Sequence, residues 1–339
     1  MPHNSRMLHA FLFSTCRLSL FAWALVFLAA MFPQSALAQQ KWPLRAVRII
    51  VVYPSGGLSD DTARAIADRL GARLQVPVLI ENRAGGGGSV GIAVVAKAPP
   101  DGHTLAFSAI SPLSLNPHLA NVSYDPLRDI APVVGVMQTP VVVVGTPAFR
   151  GASFQDLLAA ARQAPGSMRW GSSGLATVGH MVMEHVRLAG RVDITHIPYK
   201  GGGQQLSDAL AGHFEILSTN VAATQLQHIR SGKFKALAVG SPERLPVLPQ
   251  VPTLAELGFA QANLTSQFGI FAPGGTPEWI VNRVNVEINA VLRTAEFRER
   301  VLASNNIPIG GTAAEFARLI QQDSERNRGL IKAAGIKAE

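Results

Sequence analysis

The chain has 339 residues, 47% of them hydrophobic and 15% charged, a balance that excludes a disordered or low-complexity polymer and accommodates two domains of ordinary size. The 30 Lys and Arg outnumber 22 Asp and Glu, which suits acidic small solutes. The basic residues are scattered, and the three tyrosines do not interleave with a basic run, so nucleic acid is not an expected partner.

Residues 1–38 form a segment of their own. Arg6 and Arg17 precede an apolar run from Leu18 to Phe32, and the "SALA" at 35–38 places Ala36 and Ala38 at the small-residue positions of a leader-peptidase site. This predicts a secretory signal cleaved before Gln39. A membrane anchor would need roughly 20 apolar residues, more than the run provides. Cys16, the only cysteine, lies inside the leader, so the mature chain is expected to lack disulfides, cysteine nucleophiles and thiolate metal sites.

From Val47 onward β-branched runs alternate with Gly-containing turns and Ala-rich helical stretches. Strands are predicted at 47–52, 76–81 and 103–108, with helices at 60–73 and 88–97. This alternation predicts βαβ units and a largely parallel sheet, with the turns after Val52, Glu81 and Ser108 sharing one rim. A second set follows: "VVVVG" at 141–145 reads as a buried strand, Ser153 as the cap of a helix reaching Gln163, and "MRWGSSG", "ITHIPYKGGG", "FEILSTN" and "FKALAVGS" as strands running into turns. Between the sets, "GVMQTPVVVVGTP" is an extended segment suited to crossing from one lobe to the other. The Pro-rich stretch after Gly240 reads as an ordered connection. Pro277 opens a helix at its first position, and 277–335 reads as helices packed on the first lobe.

Several motifs suggest chemistry. Gly86, Gly88 and Gly91 satisfy G-x-G-x-x-G between a strand and a helix, but the next strand, "HTLAFSAIS", ends without the acidic residue that would hold a ribose. A tight turn with close helix packing explains them better than a dinucleotide. His180 and His185 lie about 140° apart around a helix and cannot share a metal; H-E-x-x-H is absent. "GSSG" at 171–174 lacks the nucleophile elbow, yet a secreted hydrolase using Ser172 or Ser173 with a histidine stays open as an alternative. Lys200 precedes its glycines, so "YKGGG" is not a phosphate loop. What remains is a set of Gly/Ser turns at strand ends, each feeding a helix start. Free amides and the positive end of a helix dipole suit such turns to holding an anion.

"VYPSGGLSDDTAR", "VLIENRAGGGGSVGIAVVAKAPPDGHTL", "ITHIPYKGGGQQLSDALAGHFEI", "HIRSGKFKALAVGSPERLPVLPQVPTLAELGF" and "GIFAPGGTPEWIVNRVNVEIN" together make the chain resemble the Bug family of extracytoplasmic solute receptors of tripartite tricarboxylate transporters. The resemblance implies an α/β fold of the type II periplasmic-binding-protein kind, with two lobes joined by crossing strands around a ligand cleft. It implies a periplasmic receptor for a small carboxylate (a dicarboxylate, an acidic amino acid or an aromatic acid), without cofactor, metal or catalysis, and with membrane transporter subunits as partners. A monomer is expected. The lobes are expected at 39–140 plus 242–339 and at 141–241. By the resemblance, the first turn would cradle the carboxylate through Tyr53, Gly56, Gly57, Leu58, Ser59 and Asp60, the third through Ser108 and Ser111. The second lobe would contribute Ser172, Ser173, Gly174, Thr177 and Asn220. Ser55 stands where the family commonly has proline, and Arg64 or Arg83 are the visible cations for a second carboxylate. A receptor that serves a sensor instead of a transporter fits the same residues.

Overall fold

Burial of β-branched side chains places the first strand. In β1 (Val47–Val51) all residues but Arg48 are buried, and each Val or Ile removed from water contributes about 1.5–3 kcal/mol. A computed structural model describes residues 41–336; the expected signal peptide, with Cys16, lies outside them. β1 runs parallel to β2 (Val78–Asn82) and β3 (Thr104–Ala109) on either side. Between these strands lie α1 (Leu58–Leu74) and α2 (Ser89–Ala96), close to the predicted boundaries. After β3 come the one-turn helices α3 (Ser111–Ser114) and α4 (Asn116–Leu119).

β4 (Ile130–Gly145) is the longest strand, with 16 residues. Its "VVVVG" end, read as a separate strand, continues the crossing segment without a break. Then follow α5 (Phe154–Gln163), β5 (Met168–Ser172), α6 (Val178–Gly190), β6 (Ile194–Pro198), α7 (Gly202–Leu210), β7 (Ile216–Asn220), α8 (Ala223–Arg230) and β8 (Lys235–Gly240). Ser153 caps α5 as predicted: its hydroxyl accepts from the Asp156 amide while the Asp156 carboxylate accepts from the Ser153 amide. The connection after β8 leads to β9 (Thr265–Pro273), α9 (Glu278–Leu292), α10 (Ala295–Ala303), β10 (Ile307–Gly310) and α11 (Ala313–Ala334). Pro277 stands one residue before α9, at its cap.

The strands join in the order β2-β1-β3-β9-β4-β7-β5-β6, with β8 and β10 also on β4. The expected parallel pairing holds within β2-β1-β3 and within β6-β5-β7, whereas β4 pairs antiparallel with β7, β8, β9 and β10. The mixed sheet follows from one strand serving two groups. Residues 130–140 of β4 pair with β9 and 141–145 with β7 and β8. Each group covers its faces with its own helices. Ile50, Val52, Ala106 and Phe271 pack with Phe316 and Ile320 of α11, and Val143, Trp170 and Ile216 pack with Leu157 of α5 and Val182 of α6.

Candidate functional site

The carboxyl ends of β1, β3, β5 and β7 open onto a cavity of about 390 Å³, within the range of small-molecule sites. β1 ends at Val51, and the chain turns through Val52, Tyr53, Pro54 and Gly56 into α1. The cap residue of α1, Gly57, has no side chain to offer, so the amides of Leu58, Ser59 and Asp60, which precede the helix's own bonding ladder, have no capping partner. Gly57, Leu58 and Ser59 line the cavity. The same situation recurs across it. α7 starts after Gly201 and α8 after Ala222, both without a side-chain cap, and Gly202, Gly203, Ala223 and Thr224 line the cavity. Elsewhere α5 and α11 carry complete capping boxes. The starts of α1, α7 and α8, all without side-chain caps, thus face one space, as does that of the one-turn α3, whose first residue Ser111 lines it.

Of the residues expected at the site, Tyr53, Gly56, Gly57, Leu58, Ser59, Ser111, Ser173, Thr177 and Asn220 line this cavity. The structure places Asp60, Ser108, Ser172 and Gly174 behind its wall. The Asp60 carboxylate accepts from the Gly56 amide at 3.0 Å, from Arg64 Nε at 3.0 Å and from Asn82 Nδ2 at 2.9 Å. Burial alone would raise this carboxyl, but the bonds from Arg64, Gly56 and Asn82 hold it below the usual carboxylate range. Asp60 therefore braces the first turn from inside, and Arg64 is engaged in that brace. Arg83, the other cation considered for a second carboxylate, pairs with Glu81. Ser108 is fully buried and donates to the Ala109 carbonyl at 2.7 Å. Gly174 packs against Gly87, where a Cβ would come within 3.4 Å of the Gly87 Cα. Several lining side chains are also tied to protein atoms, Thr62 to the Leu58 carbonyl and Ser218 to the Gly179 carbonyl among them. Thr177 caps α6 and donates to the Gly174 carbonyl at 2.8 Å, and Asn220 Oδ1 accepts from Ser266 at 2.7 Å.

Tyr53 and Phe268 meet edge to face, with centroids 6.4 Å apart, on the cavity wall. Burial pushes the Tyr53 phenol well above its ordinary range, against the hydrogen bonds offered by Ser108 and Ala109, so it stays neutral. Sequence reasoning missed Phe268, Met137 and the α10 segment, where Phe297, Arg300, Val301 and Ser304 reach the cavity. β9 and α10 arrive from more than 100 residues beyond the first turns, and their local pattern is that of ordinary core elements.

The glycine run forms a short 3-10 turn at Gly86–Gly88 that packs on the opposite group of strands. At Gly87 (φ +62°) a Cβ would fall well inside contact distance of the Leu175 carbonyl. At Gly201 (φ +151°) one would collide with the Pro54 ring. The turns after β1 and β2 thus close directly onto those after β5 and β6, glycine by backbone. Gly91 packs against Val52 and the Arg83 carbonyl, where a Cβ would sit at 2.7 and 2.8 Å. The fingerprint glycines serve close packing.

Ser172 Oγ lies 2.7 Å from His196 Nε2, the pairing that a hydrolase would use. Ser172 is fully buried and outside the cavity, and it also shares a bond with the Gly174 carbonyl at 3.1 Å. His196 Nδ1 has no hydrogen-bond partner, so no carboxylate orients the ring. The pair is sealed from solute. His180 stacks on His196 at 4.2 Å, and its Nε2 is 3.9 Å from Glu184. Among the described residues no group of three or more acidic, His or Cys side chains could hold a metal.

Burial, with the Arg187 charge, depresses His180 to about 4; burial and then His180, against Glu184, depress His196 to about 3. An unfolded histidine titrates near 6.5. The unfolded state therefore binds protons that the folded state refuses, and stability falls as pH drops below about 6.5. Each ring contributes a loss on the order of 2 kcal/mol by about pH 5. Burial lowers His185 too, in the same direction. Paired carboxylates lose their contribution only at lower pH. Urea unfolding at about pH 7.5 and about pH 5 checks this; equal free energies at both would contradict neutral buried rings.

A cavity ringed by helix starts, between two α/β strand groups sharing a crossing strand, defines a solute-binding protein with the mixed α/β fold of the periplasmic binding proteins. Residues 62–336 match the model of the tripartite tricarboxylate transporter family receptor, and the chain belongs to that family of periplasmic solute-binding receptors. It is similar to protein BugT of Bordetella pertussis, 33% identical over 314 residues that cover 92% of this chain and 96% of BugT. It is also similar to the solved structure of R. palustris Rpa4515 with adipate (32% identity, TM-score 0.82, covering 88% of this chain and 100% of that one). A third similarity is to MatC of Rhodopseudomonas palustris with bound malate (27% identity, TM-score 0.81, covering 86% and 100%). Among the described residues no helix is long and apolar enough to cross a membrane.

Proposed function

We propose that this protein captures a small carboxylate between two lobes in the periplasm and presents the closed form to the membrane subunits of a tripartite tricarboxylate transporter. The observation that carries the reading is the convergence of the uncapped starts of α1, α7 and α8 on one cavity. Each helix dipole favours an anion by about 0.3–1 kcal/mol, up to about 2 when partly buried, and each hydrogen bond to a charged group adds about 1.5–3 kcal/mol. Amides from two or three helices therefore hold a carboxylate without an ion pair at its first end. In this reading the amides of Leu58 and Ser59 grip it beside Tyr53, and Ser111, Ser173 and Thr177 read the rest. The lobes are 39–140 plus 242–339 and 141–241, hinged within β4, and the receptor works as a monomer after loss of its leader. Adipate and malate in the similar structures support this ligand class.

A thermal-shift screen of carboxylic acids against the mature chain tests the proposal. A ligand present at a hundred times its dissociation constant stabilises the fold by about 2.7 kcal/mol. At least one acid is expected to raise the melting temperature and to be recovered chemically unchanged. A panel that shifts nothing, or a solute returned as a product, would defeat it.

A further inference from the structure

The cavity holds two charged side chains among its described lining residues, Asp61 and Arg300. Arg300 lies in the last turn of α10, a helix capped by Thr294 and anchored by the buried Phe297 and Val301. No ion pair within 4 Å engages Arg300 among the described residues. Glu296, one turn earlier on the same helix, feels the Arg300 charge but forms its own ion pair with Arg69. Arg64 and Arg83 are taken by Asp60 and Glu81, and neither lines the cavity. Beside Arg300 the wall continues through Ser304 to Asn306, whose buried Oδ1 has no hydrogen-bond partner. At one end the cavity thus offers neutral amides; α10 and the turn after it offer a guanidinium, a hydroxyl and an unsatisfied acceptor.

We infer that Arg300 receives the far carboxylate of a dianionic solute and so sets a preference for dicarboxylates over monocarboxylates. This rests on the reading of the cavity as a carboxylate site. The planar guanidinium fork matches a carboxylate with two parallel N–H···O bonds, while a solute with one carboxylate, held by the α1 amides, leaves Arg300 unused. Arg300 is exposed, so its attraction for a second charge is screened by salt. Asp61 opposes a second anion, and neutralising Arg300 leaves that repulsion unbalanced. Asn306 Oδ1 accepts from a hydroxyl or amino group between the two carboxylates.

Calorimetric titration of the mature chain with the linear dicarboxylates from succinate to suberate, and with the matching monocarboxylates, tests the assignment. The wild type is expected to prefer the diacid of the best-fitting length. In Arg300→Gln that diacid should weaken roughly tenfold, equivalent to about 1.4 kcal/mol, while the monoacid stays within about twofold. The salt dependence of diacid binding should flatten in Arg300→Gln and persist in Arg300→Lys, which keeps the charge. A substitution at this exposed position leaves the melting temperature unchanged, separating lost contact from lost fold. Equal weakening of diacid and monoacid, or none, overturns the inference. Wild-type binding of monoacids as tightly as diacids overturns it too, while leaving the carboxylate receptor standing. Binding of no acid in either series overturns both.

Discussion

Gly57→Val is expected to abolish carboxylate binding while leaving the melting temperature of the unliganded protein within a degree or two. Gly57 has φ −105° and ψ 172°, a conformation open to any residue and favourable for a β-branched one. A Cβ there meets nothing within 4 Å, because it projects into the cavity that Gly57 lines. The isopropyl group would occupy the space over the Leu58 and Ser59 amides and displace the anion. Loss of two hydrogen bonds to a charged group costs about 3 kcal/mol or more, at least about a hundredfold in affinity. Gly57→Ser is a sharper variant of the same test. Its hydroxyl would cap α1, adding a few tenths of a kcal/mol to stability while competing with the solute for the same amides. Titration calorimetry and thermal melts read both quantities; undiminished affinity in Gly57→Val would remove the first turn from the site.

Gly87→Ala should weaken binding by at least about tenfold, more than its effect on unliganded stability would suggest. The αL conformation costs an alanine about 1–2 kcal/mol whether the cleft is open or closed. The clash with the Leu175 carbonyl exists only where the two rims touch, and it sets backbone against Cβ, so no side-chain rotation relieves it. If the lobes close on the solute as proposed, the variant should populate the closed form less, and apparent affinity should fall in proportion to the competent fraction. Gly201→Ala, against the rigid Pro54 ring, should act in the same direction. Small-angle scattering should show the wild type compacting on addition of its ligand and Gly87→Ala compacting less. Unchanged affinity together with unchanged compaction would mean that these glycines do not gate closure.

Local pattern carried much of this architecture. The β-branched run at β1, the Ser153 cap and the tight packing at Gly91 were all legible, because neighbouring residues determine them. The first turn's place on the cavity was readable for the same reason: a strand, a Gly-Gly turn and a helix start follow one another directly. The commitments of Asp60, Ser108 and Ser172 were not legible, since each depends on partners, Asn82, a buried strand end and His196, that only folding brings near. Asp60 and Gly57, three residues apart, show the contrast: the carboxylate of one braces the turn, and the other, with no side chain, leaves it open. β10 escaped notice because it rests on pairing with β4 across more than 150 residues, and the reach of α10 because it meets the first turns only in the folded cavity.

β4 supplies hydrogen bonds to both strand groups along one continuous backbone, and from Pro43 onward the chain packs as one compact unit. Fraying the strand at residues 141–145 strips β7 and β8 of a neighbour and frees the end that β9 and β10 hold in register. Neither group has a complete sheet without the other's portion of this strand. The shared strand is therefore expected to couple the unfolding of the two groups, and fragments cut within β4 should fail to refold separately. A solute bound at one rim then protects amides throughout both groups from hydrogen exchange, far beyond the atoms it touches.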